Sequence, residues 1–127
     1  MGRNAVGFYW TLPAPWAGFT TISGNIDNAA KQSRTIRYQR EAIRQHVKEE
    51  GNHLIHEEVF LEIEPDRGSD LILTPLEKIE KICRINDAVL LFVDFFEVQL
   101  WRRHEGLRRW SQGAQIMVEP LFPGEIY

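Results

Sequence analysis

With Cys83 as its only cysteine, the chain excludes an intrachain disulfide and any cysteine-based zinc cluster. Long hydrophobic runs are missing too. The longest, Ala88 to Val93, falls far short of the roughly 20 apolar residues that a membrane helix needs, so no membrane partner is expected. Gly2-Arg3-Asn4 leads into a short apolar stretch without the length of a secretory h-region, and we expect a cytoplasmic protein. A basic surplus is absent: 15 Lys+Arg stand against 18 Asp+Glu, a formal net charge of −3. Duplex-binding modules ordinarily carry such a surplus to displace counterions from phosphates, so net charge gives no support to DNA as a partner. There is no internal repeat and no low-complexity segment. The glycines around Gly18 and Gly24 do not make a Gly-x-Gly-x-x-Gly fingerprint, which argues against a dinucleotide. No cofactor is expected.

What is present is ordinary globular material. At 127 residues, 43% hydrophobic and 26% charged, the chain reads as one domain over 1–127 with enough apolar side chains for a core. Ala5 to Trp10 is apolar and aromatic and predicts a buried strand. The stretch after it, about 12–30, opens with Pro13 and Pro15 and is rich in Gly, Thr, Ser and Asn, a loop-rich insertion. From Gln32 to Glu50 the period becomes helical, with Ile36, Ile43 and Val47 on one face and Gly51 as the stop. Leu54 to Ile63 alternates at period two and predicts a second strand, followed by a turn-rich loop at Pro65 to Asp70. Thr74-Pro75-Leu76-Glu77 predicts a capped helix start, Thr74 as N-cap and Pro75 as first helical residue. Leu76, Ile79, Ile82 and Cys83 form its buried stripe. After Asn86-Asp87 the run Ala88 to Val93 is that of a central parallel strand covered on both faces. A third helix is expected from about Glu97 to Ser111, ended by Gln112-Gly113, and a fourth strand at Gln115 to Val118. Strands alternating with helices imply an α/β domain, three layers with a mostly parallel sheet of about four to five strands.

Several pieces, in order along nearly the whole chain, resemble the N-terminal catalytic domain of serine recombinases, the resolvases and invertases. Gly7-Phe8-Tyr9 stands where that family opens with Gly-Tyr-x-Arg-Val-Ser. Tyr38-Gln39-Arg40-Glu41-Ala42-Ile43 is similar to its Gln-Arg-x-Ala-Ile/Leu helix. Glu58-Val59-Phe60 and the acidic loop after it match its second strand and variable loop. Thr74-Pro75-Leu76 resembles an Arg-Pro-x-Leu helix start, and Asp87 to Asp94 its Gly-Asp-x-Leu…Leu-Asp-Arg element. The resemblance implies a resolvase-like fold and a history in DNA recombination. In that family a serine hydroxyl attacks a phosphodiester while arginines neutralise the charge that develops. Carried over residue by residue, the nucleophile falls on Leu12 and the arginines on Trp10, Thr74, Phe95 and Val98; only Asp94 of the Asp-Arg-x-x-Arg element is retained. Leu12 has no nucleophilic atom, so recombinase-type strand exchange is expected to be lost. That leaves a non-catalytic interaction or regulatory module, as a homo-oligomer or with a protein partner. The alternatives are a DNA-recombination protein acting with an intact partner, or a domain binding a small anion or nucleotide in the crevice at the strand C-termini.

For that crevice the candidate ligand-binding residues are Thr11, Asp94 and Glu97. Asp94 reads more readily as a helix cap for the segment that follows. Trp16, in the Pro-rich loop, is the candidate interface anchor. Of the other tryptophans, Trp10, Trp101 and Trp110, most are expected in the core. His53, His56, Glu57 and Glu58 have metal-ligand chemistry, but strand alternation would put the two histidines on opposite faces, so no metal site is expected. Arg102-Arg103-His104 with Arg108-Arg109 reads as a solvated helix surface rather than an anion-binding patch.

Overall fold

The computed structural model describes residues 2–11, 21–62, 72–93 and 105–121. In chain order the elements are β1 (Asn4–Thr11), α1 (Ile26–Gln32), α2 (Arg34–Glu49), β2 (His53–Leu61), α3 (Leu73–Asn86), β3 (Val89–Val93), α4 (Glu105–Gly113) and β4 (Val118–Leu121). All strand pairs are parallel and the sheet order is β2-β1-β3-β4. The chain is therefore an α/β domain of three layers, a four-stranded parallel sheet flanked by helices on both faces.

Alternation along β1 and β3 makes the two cores. Ala5 and Tyr9 of β1 face one way, into an apolar cluster with Ala29 and Ala30 of α1, Ile36 and Ile43 of α2, and Leu91 of β3. Val6, Phe8 and Trp10 face the other way, with Ile72, Leu76, Ile79 and Cys83 at α3 and Leu107 of α4. Every residue of β3 is buried, as expected of a strand covered twice. Right-handed crossovers explain the layers: the chain moves one way from β1 to β2 and then back past β1 to β3, which changes the face on which helices pack. The order reverses between β1 and β3, the topological switch point of the sheet.

Helix boundaries follow their caps. Asn25 caps α1, accepting from the Asn28 N–H at 3.0 Å, so a helix lies inside the stretch read from sequence as loop. Ser33 ends α1 and caps α2, its hydroxyl accepting from the Ile36 N–H at 3.3 Å, which moves the start of the long helix from Gln32 to Arg34. Gly51, at φ 67°, then terminates it as expected. At α3 the expected cap is corrected: Ile72 is the N-cap and makes no side-chain cap bond, and Thr74 and Pro75 occupy the second and third helical positions. Proline is tolerated there because first-turn N–H groups lack intrahelical acceptors, and Ile72, 1% exposed, anchors the start in the core. The fourth strand runs Val118–Leu121 rather than 115–118. Pro120 sits within it opposite Phe92; β4 is an edge strand, where a missing donor can face outward.

Gly7 is constrained by its neighbours. A Cβ there would lie 2.8 Å from the Tyr9 hydroxyl and 3.3 Å from Ile43 Cγ2, so the side chain that crosses above it leaves room only for glycine. Cys83 is buried beneath α3, and burial pushes its thiol from 9.0 up to about 11. A raised folded-state pKa means stability is whole below pH 9 and declines as pH rises toward 11, by about 2–3 kcal/mol in full. We expect chemical-denaturation midpoints to fall between pH 9 and 10, and Cys83→Ala to flatten that slope while lowering the plateau. Above pH 10 Tyr9 adds to the decline, because burial and its bond to Glu57 also raise its pKa.

Candidate functional site

The switch point places the C-terminal end of β1 beside the start of α2, and three hydroxyls meet there. Thr11 Oγ1 lies 2.7 Å from Thr35 Oγ1, Ser33 Oγ lies 2.9 Å from Thr35 Oγ1, and Ser33 Oγ donates to Thr11 Oγ1 at 3.3 Å. Thr11 and Ser33 are each 8% exposed. None of the three is hydrogen-bonded to a carboxylate or imidazole among the described residues. Their arrangement suits hydrogen bonding.

Below them Gln39 finishes the sheet. The Thr11 carbonyl faces β2, accepting from the Glu62 N–H at 2.8 Å. Alternation turns the Trp10 N–H and C=O toward β3, and among the described residues the β1–β3 register runs as far as Phe8 and Phe92. The Gln39 carboxamide takes both groups: Trp10 N–H donates to Oε1 at 3.0 Å, and Nε2 donates to Trp10 O at 2.7 Å and to Thr35 O at 3.1 Å. Gln39 is fully buried. Its side chain thus ties the end of β1 to α2. Glu62, also fully buried, brings a carboxylate residue to the same end of the sheet.

A second polar cluster ties four elements together on the α1/α2 face. Tyr9 Oη donates to Glu57 Oε2 at 2.6 Å, and Arg44 grips the same carboxylate with Nε at 2.9 Å and Nη2 at 2.8 Å. Arg44 and Arg40 both reach Asp27, at 3.5 and 3.0 Å. The bidentate bond to Glu57 raises the Arg44 pKa.

The sequence-derived candidates fare unevenly. Thr11 is part of the hydroxyl cluster, and Ser33, Thr35, Gln39 and Glu62 join it without having been singled out. Trp10 lies in the apolar layer facing α3, 6% exposed, on the opposite face of β1 from Thr11. Thr74 is exposed in the first turn of α3. Leu12, Trp16, Asp94, Phe95, Glu97, Val98 and Trp101 lie outside the described residues, as do Arg102, Arg103 and His104. Trp110 packs against the same cluster as Trp10, and Arg109 is exposed. For the histidines the spacing argument fails: a register shift lets His53 pair with Asn4 and His56 with Val6, residues two apart on β1. They share a face. His56 bonds Glu58 at 2.7 Å, Lys78 bonds the same carboxylate at 3.3 Å, and Glu57 turns to Arg44 on the other face. Among the described residues no three metal-ligating side chains come together. Comparison of the chain with family models, with curated proteins and with solved structures finds no match.

Proposed function

We propose that the chain is a resolvase-like domain that has left strand-exchange chemistry behind and acts as a protein-interaction or regulatory module, as a homo-oligomer or with a protein partner. The observation that carries the reading is Trp10. The position that the resemblance assigns to a phosphate-binding arginine is a buried aromatic in the α3-facing core. The nearest described hydroxyl, Thr11, faces the opposite layer and is tied to Ser33 and Thr35. Neither a charge clamp nor an activated nucleophile follows from that geometry. The test is incubation with supercoiled plasmid at low salt, with denaturing electrophoresis for a covalent protein–DNA link. No nicking and no adduct is the expected result; an adduct on any residue overturns the reading. Adding an intact recombinase tests cooperation in trans, which a chain-dependent rise in strand exchange would establish.

A second reading is favoured by one observation, the hydroxyl cluster at the switch point. A domain binding a small anion or nucleotide would use Thr11, Ser33 and Thr35 as donors beside the start of α2. Thermal shifts with inorganic phosphate and with ATP separate it from the first: stabilisation lost in Thr35→Val would favour the ligand site.

A further inference from the structure

The opposite end of the sheet holds a cavity of about 440 Å³. Three of its walls are the segments that feed parallel strands: Arg3 before β1, Asp87 and Ala88 before β3, and Ile116 and Met117 before β4, with Arg84 from the last turn of α3. The volume falls in the range of small-ligand sites, roughly 300–1,000 Å³. Its lining is mixed, with Cys83 and Gln115 beside the charged and apolar residues. Ala88, Ile116 and Met117 offer apolar surface, and Met117 is 55% exposed although large and hydrophobic. Arg3 and Asp87 supply opposite charges, yet neither side chain is in an ion pair among the described residues, with each other or with a third group. Arg84 keeps one amino group on Glu80 at 2.5 Å and has further donors. Asp87 stands at φ 49°, ψ 49°, the left-handed cap of α3, so its place at the rim is set by the backbone and not by a side-chain partner.

We propose that this cavity binds an apolar α-amino acid as its zwitterion. The ligand carboxylate meets Arg3, with Arg84 beside it. The ammonium meets Asp87, and the aliphatic or aromatic side chain lies on Ala88, Ile116 and Met117. A simple anion would leave Asp87 facing it unfavourably, and a simple amine would do the same with the arginines. A ligand carrying both charges and an apolar body meets each of these groups. The site is independent of the switch-point crevice and stands or falls apart from the function proposed above.

The experiment is isothermal titration of the full chain with L-leucine, L-phenylalanine, hexanoate and 3-methylbutylamine, each at millimolar concentration, alongside Arg3→Gln and Asp87→Asn. Both replaced residues are exposed, and asparagine tolerates the left-handed backbone, so the variants should fold; circular dichroism verifies it. The two amino acids should bind while hexanoate and the amine bind about tenfold or more weakly, and each variant should lose about tenfold or more for the amino acids. No binding of either amino acid overturns the proposal. So does binding of hexanoate or the amine as tightly as leucine, or leucine affinity unchanged in Asp87→Asn.

Discussion

Replacing Gln39 with leucine is expected to lower the unfolding free energy by about 2–5 kcal/mol, although leucine is nearly isosteric and more hydrophobic. Gln39 carries no charge and touches no solvent; its worth lies in the hydrogen bonds that its carboxamide makes to the N–H and C=O of Trp10. Leucine would take both of those hydrogen bonds away, and losing a buried partner costs about 1–3 kcal/mol per group. The extra apolar burial returns only part of that. Urea denaturation followed by tryptophan fluorescence reads the loss as a lower midpoint with an unchanged slope. Gln39→Glu separates the two contributions. As a neutral acid it can still donate to Trp10 O and accept from Trp10 N–H, so this variant should regain stability as pH falls through the carboxyl's raised pKa. A Gln39→Leu protein within about 0.5 kcal/mol of the parent would mean the carboxamide bridge is not what holds the β1 end.

How far the sequence could be read depended on whether the signal was local. The fold class was legible because alternating strand and helix periods are local and the run Ala88 to Val93 is typical of a doubly covered strand. Gly51 and Gly113 ended helices where expected. Boundaries failed where tertiary contacts decide. Ile72 sets the start of α3 by burial, against the capping pattern at Thr74, and the edge position of β4 admits Pro120. The faces of His53 and His56 were misjudged because a register shift between Ala5 and Val6 of the β1 pairing is invisible in spacing. The site followed the same rule. Thr11 was legible as the polar end of an apolar strand, but Ser33, Thr35 and Glu62 come to it only through the sheet order, from positions 22, 24 and 51 residues further on. Gln39 had one signal: it opens the Gln-Arg-x-Ala-Ile stretch on which the recombinase resemblance partly rests.

That resemblance makes Trp10 the most informative position to alter. Trp10→Arg restores the arginine that the family pattern places there, and is expected to cost more than any other substitution considered. Losing the indole alone removes a large side chain, 6% exposed, from the layer it shares with Ile72, Leu76 and Ile79; tryptophan truncations in cores cost about 3–5 kcal/mol. The guanidinium must then stay charged among apolar groups or drag itself toward water, which adds to the loss. For a domain whose total stability is of the order of 5–15 kcal/mol, the variant should be largely unfolded or have a sharply reduced midpoint. Trp10→Phe, which keeps an aromatic ring there and adds no charge, should stay folded. Nor should Trp10→Arg gain affinity for DNA at low salt, since its side chain starts from the α3 face while the hydroxyls of Thr11, Ser33 and Thr35 lie on the other. A stable Trp10→Arg protein that binds plasmid more tightly than the parent would place position 10 at a phosphate-facing surface. It would return the chain to DNA chemistry and remove the ground for an interaction module.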